Sequence, residues 1–274
     1  MNKLFNGDCL EVMRDLSTNS IDLLFCDLPY GETSCKWDCK INLETFWKEV
    51  NRICKINCPM FFTTTTRFGV ELINSNPKNF RYDLVWVKSA SVGFLNAKKM
   101  PMRKHEMIYV FYRKLPLYDL SSHKHKFIKL TDRSGECYRK FKEDSEQYSY
   151  DPPLPVSIIK EEKNECYGEG SHDSEYIGEA RKANVYEPPL PNSILEIKSE
   201  KGKHATQKPI ELIKWLLKYY SKLGDTILDP TMGSGTTIIA CKQMNRNFIG
   251  IEKDEQIYKD AVERINALKE ERTL

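Results

Sequence analysis

The hydrophobic and polar positions of this chain alternate between short apolar runs and longer amphipathic stretches. The apolar runs have the length and composition of buried strands, and they lie at 3–6, 22–30, 60–65, 84–87, 107–112, 226–228 and 247–251. The amphipathic stretches predict helices that begin near residues 8, 43, 70, 209, 237 and 254. This strand–helix alternation predicts an α/β fold with a largely parallel sheet covered on both faces.

The alternation stops between about residues 113 and 199, where the sequence is charged, rich in tyrosine and broken by prolines. A ten-residue motif that begins at Tyr150 recurs 36 residues later at Tyr186. Two copies are too few for a repeat fold, so we interpret them as a local duplication. We therefore predict one domain formed by 1–112 and 200–274, with 113–199 as a partly mobile insertion.

Composition is that of a globular protein, with 274 residues of which 40% are hydrophobic and 30% are charged. No apolar run approaches the roughly 20 residues of a membrane span. The first residues also lack the basic, apolar and small-residue order of a signal peptide. We expect a cytoplasmic protein that does not contact a membrane.

Charge is distributed unevenly along the middle of the chain. Residues 86–142 carry 14 Lys and Arg against 4 Asp and Glu, whereas residues 143–187 carry 12 acidic residues against 4 basic ones. The basic part suits a polyanionic partner, and the acidic part does not. The alternative is that the basic run is only a solvated face.

Nine cysteines raise the question of a metal site, because Cys35 and Cys39, like Cys54 and Cys58, are separated by three residues. Cys54, however, continues an apolar helical stripe, where a free thiol acts as a small hydrophobe. An odd number of cysteines in a cytoplasmic chain favours reduced thiols over disulfides. We predict no metal.

The stretch Asp27-Leu28-Pro29-Tyr30 follows a predicted strand, and Pro29 ends that strand. An ionised carboxylate only accepts hydrogen bonds, so Asp27 could hold an amino group and leave the nitrogen lone pair free to react. The Leu28 or Pro29 carbonyl could accept the second hydrogen, and Tyr30 could stack on a flat base. The stretch predicts a pocket for a nucleobase amine, although an ordinary strand-to-turn exit remains an alternative.

A second candidate site lies in the last third of the chain. A strand leads to Gly233-x-Gly235 and a helix, and the next strand ends in Glu252, 23 residues after Asp229. Such a unit binds nucleosides, with the acid on the ribose hydroxyls. Ile238 at the place of a third glycine argues against a dinucleotide, and the missing Lys-Ser/Thr pair argues against a Walker loop. The glycines could also be there for steric reasons alone.

Four motifs together resemble the DNA amino-methyltransferases. Asp27-Leu28-Pro29-Tyr30 resembles the D-P-P-Y element, and the stretch from Asp229 to Thr236 resembles D-P-F-x-G-S-G-T. The stretch from His204 to Pro209 is similar to H-P-T-Q-K-P, and 31–38 is similar to G-T-T-x-x-K-W-D. Their order is that of the beta group of the family, and the resemblance covers about 1–112 and 186–274.

The chain departs from these motifs at two positions. Leu28 replaces the first proline of D-P-P-Y, where the family uses chiefly the backbone carbonyl. Ala205 replaces a proline in H-P-T-Q-K-P. Neither change removes a side chain with a chemical role.

The resemblance implies a circularly permuted, Rossmann-like methyltransferase fold with a seven-stranded, mostly parallel sheet and one reversed strand. It implies S-adenosylmethionine as cofactor, with Asp8 and Cys9 near its adenine, Glu252 on its ribose, and Thr206 and Lys208 near its methionine carboxylate. The other cofactor-binding residues that it implies are His204, Asp229, Thr231, Met232, Gly233, Ser234, Gly235 and Thr236. The insertion would then be the target-recognition region.

The implied activity is site-specific methylation of adenine N6 in double-stranded DNA after base flipping, with Asp27, Leu28, Pro29 and Tyr30 as the catalytic residues. Adenine is expected because the catalytic element begins with an acid, whereas cytosine-N4 relatives usually begin with serine. The predicted DNA contacts are Lys36, Lys98, Lys99, Arg103, Lys104, Lys124 and Lys126. Cytosine N4, RNA or a small amine as acceptor, and a non-catalytic nucleotide-binding regulator, are the alternatives. A homodimer and a cognate restriction nuclease are left open.

Overall fold

The computed structural model describes residues 2–29, 40–129, 182–187, 193–199 and 207–270, with the backbone alone at 124–129, 182–187 and 268–270. The chain divides into two compact units. The larger comprises 1–90, 105–119 and 192–274, and the smaller comprises 91–104 and 120–191. The sequence predicted an insertion at 113–199, whereas the smaller unit also includes 91–104 and does not include 113–119 or 192–199.

The larger unit is an α/β structure. Its strands, with two that belong to the smaller unit, are β1 (Asn2–Asn6), β2 (Leu23–Cys26), β3 (Met60–Thr64), β4 (Phe80–Val92), β5 (Arg103–Phe111), β6 (Lys124–Lys129), β7 (Lys182–Glu187), β8 (Ile194–Glu196), β9 (Thr226–Asp229) and β10 (Asn247–Glu252). The helices are α1 (Cys9–Arg14), α2 (Leu43–Ile53), α3 (Thr66–Ser75), α4 (Ile210–Tyr220), α5 (Thr236–Gln243) and α6 (Glu255–Glu270).

One sheet holds eight of these strands in the order β1-β10-β9-β2-β3-β5-β4-β8. The first five are parallel, and β5 pairs with β3 in the antiparallel sense. The predicted α/β architecture with a mostly parallel sheet is therefore confirmed. The described sheet has eight strands, however, because the short strand β8 adds to β4 at the edge and buries Leu195. Strands β6 and β7 form a separate antiparallel pair.

The sequence pattern placed the starts of five of the six described helices within one residue. It missed the first turn of α3, which begins at Thr66 rather than near residue 70. It also overestimated β2, which ends at Cys26 and not at Pro29, and it underestimated β4. Asp8 caps α1 as expected, and Asn42 caps α2 through its side chain. Pro209 is the residue just before α4, one position earlier than predicted. Strand β4 is much longer than the predicted run 84–87, because its ends carry exposed polar residues that the apolar pattern does not detect.

The core on one side of the sheet is aromatic. Trp47 from α2 packs edge-on against Phe62 of β3, with ring centroids 5.4 Å apart, and lies 5.2 Å from Phe111 of β5. Cys54 and Cys58 are buried free thiols in the same hydrophobic cluster. The packing role expected of Cys54 is thus confirmed, while Cys35 and Cys39 lie outside the described residues.

Within the described ranges, no helix combines the length and the apolar character that a membrane span requires. The same part of the chain shows no group of three or more His, Cys, Asp or Glu side chains placed to hold a metal ion.

Candidate active site

The two predicted sites meet at one edge of the sheet. Strands β2, β9 and β10 are parallel neighbours, so their carboxyl ends lie together. Asp27 follows β2, Asp229 ends β9 and Glu252 ends β10. This edge is where open α/β sheets bind their ligands.

Asp27 is held by three hydrogen bonds. The Thr63 hydroxyl donates to Oδ1 at 2.7 Å, and the Lys208 ammonium donates to Oδ2 at 2.6 Å. The Thr231 hydroxyl donates to the Asp27 backbone carbonyl at 3.1 Å. The Asp27 side chain is nevertheless 30% exposed. Because each carboxylate oxygen has two lone pairs, Asp27 keeps the capacity to accept from a ligand.

Lys208 also faces a second carboxylate. Its Nζ lies 3.7 Å from Oε2 of Glu106, and the Lys88 ammonium donates to the other oxygen, Oε1, at 2.5 Å. Burial by itself would raise the pKa of Glu106, but the ammonium groups of Lys208 and Lys88 outweigh burial and lower it. Glu106 is therefore ionised at neutral pH, and the site contains two carboxylates and two ammonium groups.

The residues that follow Asp27 are only partly described. Leu28 is buried, with 2% of its surface exposed, and Pro29 is half-buried. The burial of Leu28 agrees with a role through the backbone rather than through the side chain. Tyr30 and Lys36 lie outside the described residues, so their predicted roles remain predictions.

The glycine turn after β9 contains two residues in the left-handed backbone conformation, which favours glycine. Gly233 has φ +48° and Gly235 has φ +77°. A side-chain carbon on Gly233 would meet nothing within 4 Å, whereas one on Gly235 would lie 2.8 Å from Ile265 Cδ1. Gly235 therefore permits helix packing, and Gly233 leaves its backbone open to a ligand.

Glu252 is fixed beside this turn. Its Oε2 accepts from the Gly233 backbone N–H at 3.0 Å, and its Oε1 accepts from the Asp254 backbone N–H at 2.9 Å. Burial raises the pKa of Glu252 in spite of these two hydrogen bonds. The carboxylate still has lone pairs for ribose hydroxyls.

The rest of the predicted cofactor site surrounds the turn. Met232 is buried, and the guanidinium of Arg264 donates to the Ser234 carbonyl at 2.8 Å. Asp8 accepts from Lys253, the residue after Glu252, at 3.0 Å. Burial raises the pKa of the Cys9 thiol to about 12, so Cys9 remains a protonated packing residue. His204 and Thr206 lie outside the described residues.

Asp229 is the most deeply buried acid of this edge, with 3% of its surface exposed. It accepts from the Thr231 backbone N–H at 3.1 Å and from the Thr237 hydroxyl at 2.5 Å. Burial raises its pKa from 3.8 to about 7 against the opposing effect of these hydrogen bonds. Asp229 thus holds the two ends of the glycine turn by hydrogen bonds and is shielded from solvent.

The raised pKa of Asp229 predicts a pH-dependent stability. The folded state binds the Asp229 carboxyl proton more tightly than the unfolded chain does. The resulting stabilisation of the folded state is therefore fully present below pH 3.8 and is lost as the pH rises through about 7. Thermal unfolding of Asp229→Asn and the unsubstituted protein should therefore diverge in favour of Asp229→Asn over this window, by at most about 1.4 kcal/mol per pH unit. A difference that stays constant from pH 4 to 7 would contradict the raised pKa.

Sequence reasoning missed Thr63, Glu106 and Lys88. Thr63 sits among the apolar residues of β3, and Glu106 immediately precedes the predicted strand 107–112. The available signal was a polar residue directly beside an apolar run, at the end of the strand that lies at the active edge. The structure also adds the contact of Lys208 with Asp27, which the sequence did not predict.

The predicted DNA contacts belong to the smaller unit, except for Lys36. Lys98, Lys99 and Arg103 are exposed, and Lys104 is half-buried. The backbone of Lys124 and Lys126 forms part of β6, and their side chains are not described.

Known proteins resemble this chain over nearly its whole length. M.HinfI, a type II methyltransferase of Haemophilus influenzae, is 24% identical over 299 residues, which cover 98% of this chain and 69% of M.HinfI. M.HindIII, a type II methyltransferase of the same species, is 44% identical over 77 residues, which cover 27% of this chain and 25% of M.HindIII. The latter match thus spans only a quarter of that relative.

Solved structures share the fold. A crystal structure of an M1.HpyAVI–SAM complex aligns with a TM-score of 0.58 and 20% identity, covering 96% of this chain and all of that chain. The cytosine-N4-specific PvuII DNA methyltransferase aligns with a TM-score of 0.60 and 12% identity, covering 97% of this chain and 90% of that chain.

The parallel sheet, the acid after β2 and the glycine turn after β9 define a protein of the methyltransferase fold. A family model described as DNA methylase matches residues 21–263. The chain belongs to this DNA methylase family, and the family predicted from its motifs is confirmed.

Proposed function

We propose that the chain transfers a methyl group from S-adenosylmethionine to the N6 amino group of adenine in double-stranded DNA. The observation that carries this proposal is the position of Asp27. Its carboxylate is 30% exposed at the carboxyl end of β2, next to the strand that leads into the glycine turn. A carboxylate that can bind an amino group and a site that can bind a nucleoside therefore lie next to each other at the same edge of the sheet.

The Asp27 carboxylate orients the amine. It accepts one amino hydrogen, and a backbone carbonyl at Leu28 or Pro29 accepts the other, so neither group blocks the nitrogen lone pair, which stays free to react. Thr63 and Lys208 fix the carboxylate before the base arrives. Orientation of this kind makes a bimolecular transfer effectively unimolecular. No covalent protein intermediate is needed, and the buried cysteines are not nucleophiles.

The glycine turn and Glu252 fit the proposed cofactor. Gly233 presents backbone that no side chain covers, and Glu252 lies beside it with acceptor capacity for two ribose hydroxyls. When bound, S-adenosylmethionine supplies a methyl group on a sulfonium. Glu252, Asp8 and the backbone of the turn would hold the nucleoside part.

Glu252→Ala should weaken S-adenosylmethionine binding by about 1–3 kcal/mol, the usual cost of leaving a buried polar group unpaired. Isothermal titration calorimetry measures the affinity. The control is Glu255→Ala, which removes a carboxylate that is 72% exposed and paired with Lys259. An unchanged affinity for the Glu252 variant would mean that the ribose is held elsewhere.

Duplex DNA is the proposed substrate, so the target base must leave the stack at a cost of a few kcal/mol. The smaller unit, with its exposed basic residues, is the proposed target-recognition region. A homodimer and a cognate nuclease remain predictions for this chain.

Methyl transfer from radiolabelled S-adenosylmethionine tests the proposal. Unmethylated plasmid DNA, transfer RNA and free adenosine are offered as separate acceptors. We expect label in the plasmid alone, and N6-methyladenine among its nucleosides by mass spectrometry. N4-methylcytosine in its place would correct the acceptor base, and label in RNA or adenosine alone would overturn the substrate.

A further inference from the structure

Four charged side chains alternate in sign across the active edge. Lys88 pairs with Glu106, Glu106 faces Lys208, and Lys208 pairs with Asp27. The Lys208 side chain is only 12% exposed and lies between the two carboxylates. Its ammonium donates a hydrogen bond to Asp27 Oδ2 at 2.6 Å. The distance from the same nitrogen to Glu106 Oε2 is 3.7 Å, which is too long for a hydrogen bond.

Glu106 Oε2 is an unusual atom. It is shielded from solvent and has no hydrogen-bond partner among the described residues, although the other oxygen of the same carboxylate is paired with Lys88. A buried acceptor without a partner is costly, and native proteins contain few of them. An ammonium that carries hydrogen-bond donors lies only about 1 Å beyond the usual distance for a charge-assisted hydrogen bond.

We propose that Lys208 is a positioning residue that alternates between Asp27 and Glu106. Without DNA, the Lys208 ammonium donates to Asp27 Oδ2 and occupies the position of the amino group of the target base. When the base enters, the amino group of the base donates to Asp27, and the Lys208 ammonium moves about 1 Å to donate to Glu106 Oε2. This inference rests on the proposed function, because it assigns Asp27 to a substrate amine.

The exchange keeps every charge paired. A base that displaces Lys208 from Asp27 breaks an ion pair of a nearly buried ammonium, and this is strongly unfavourable when no new ion pair replaces it. Glu106, held as a carboxylate by Lys88, offers the second position. Both states therefore have Lys208 bound to a carboxylate, and binding of the base shifts the population between them.

The test is a double-mutant cycle with Glu106→Gln and Lys208→Met. The neutral amide in Glu106→Gln removes the second position, so Lys208 stays on Asp27 and competes with the base. We expect kcat/KM for unmethylated plasmid DNA to fall by about 5- to 150-fold, the usual range of coupling between two binding events. Lys208→Met removes the competitor but also one of the hydrogen bonds that fix the Asp27 carboxylate, so we expect kcat/KM to fall by less than it does in Glu106→Gln.

The cycle is decided by the change in kcat/KM that Glu106→Gln causes in a protein that already carries Lys208→Met. We expect this change to be less than about threefold. An equal loss in both backgrounds would show that Glu106 acts only through folding, and no loss in either would show that its charge is not used. A Lys208→Met variant that binds S-adenosylmethionine but is inactive would also overturn the proposal.

Two controls separate folding and function. Glu49→Gln neutralises another largely buried glutamate, which is paired with Arg52 on α2 away from the edge, and it should leave kcat/KM unchanged. Calorimetry with S-adenosylmethionine verifies that each variant is folded. If the unsubstituted protein methylates no DNA, the proposed function fails. If it is active and the cycle is additive, only the exchange of Lys208 fails.

Discussion

Asp27→Ala is expected to lower methyl transfer to DNA by about 10²- to 10⁴-fold, the range that a positioned catalytic group contributes. The variant loses the acceptor that orients the amine. It should remain folded, because Lys208 keeps Glu106 as an ion-pair partner and Thr63 lies within a paired strand. Affinity for S-adenosylmethionine should change by less than about threefold, because Glu252 and the glycine turn are intact.

Initial rates with saturating plasmid DNA, measured beside calorimetry with S-adenosylmethionine, separate these two effects. Asp83→Ala is a matched control, since Asp83 is an exposed acid on β4. Its rate should equal that of the unsubstituted enzyme. An Asp27 variant that keeps its activity would remove Asp27 from the reaction.

Alanine at Lys98, Lys99, Arg103 and Lys104 together should weaken DNA binding and flatten its salt dependence. Lys98 and Lys99 lie between β4 and β5, after a turn that exposes 82% of Phe94 and 95% of Leu95, and the other two are the first residues of β5. Each lost phosphate contact should lower the slope of log affinity against log salt by about 0.9, so four contacts lower it by up to about 3.6. S-adenosylmethionine affinity should not change.

Fluorescence anisotropy of a labelled duplex at several salt concentrations gives this slope. The control removes the same charge from exposed lysines of the larger unit, namely Lys48, Lys78, Lys218 and Lys222. Its slope should stay close to that of the unsubstituted protein. An equal slope for both variants would place the DNA on another surface.

The sequence predicted the features that depend on neighbouring residues. Asp27 follows a strand, Gly233 and Gly235 form a turn, and Glu252 ends the next strand, and all of these were read from local patterns. Parallel strands then bring their carboxyl ends together, which placed the two sites on one edge. The short strand β8 escaped this reasoning, because three residues beside a proline-rich motif carry no periodic signal.

Contacts between distant residues could not be read from the sequence. Asp27 and Lys208 are 181 positions apart, and Thr63 reaches Asp27 from the neighbouring strand. Lys208 lies in a motif that suggested a cofactor contact, and nothing in its local pattern indicates a carboxylate partner. The register of β2 against β3 and the course of the chain before α4 decide these contacts.

Modified-base sequencing of DNA from cells that lack their own DNA methylation tests the central claim most directly. Cells that express the unsubstituted protein should carry N6-methyladenine at one short, recurring sequence, and cells that express Asp27→Ala at the same level should not. N4-methylcytosine without N6-methyladenine would contradict the acceptor base. DNA without any modified base, in cells that contain the folded protein, would contradict the claim that it methylates DNA.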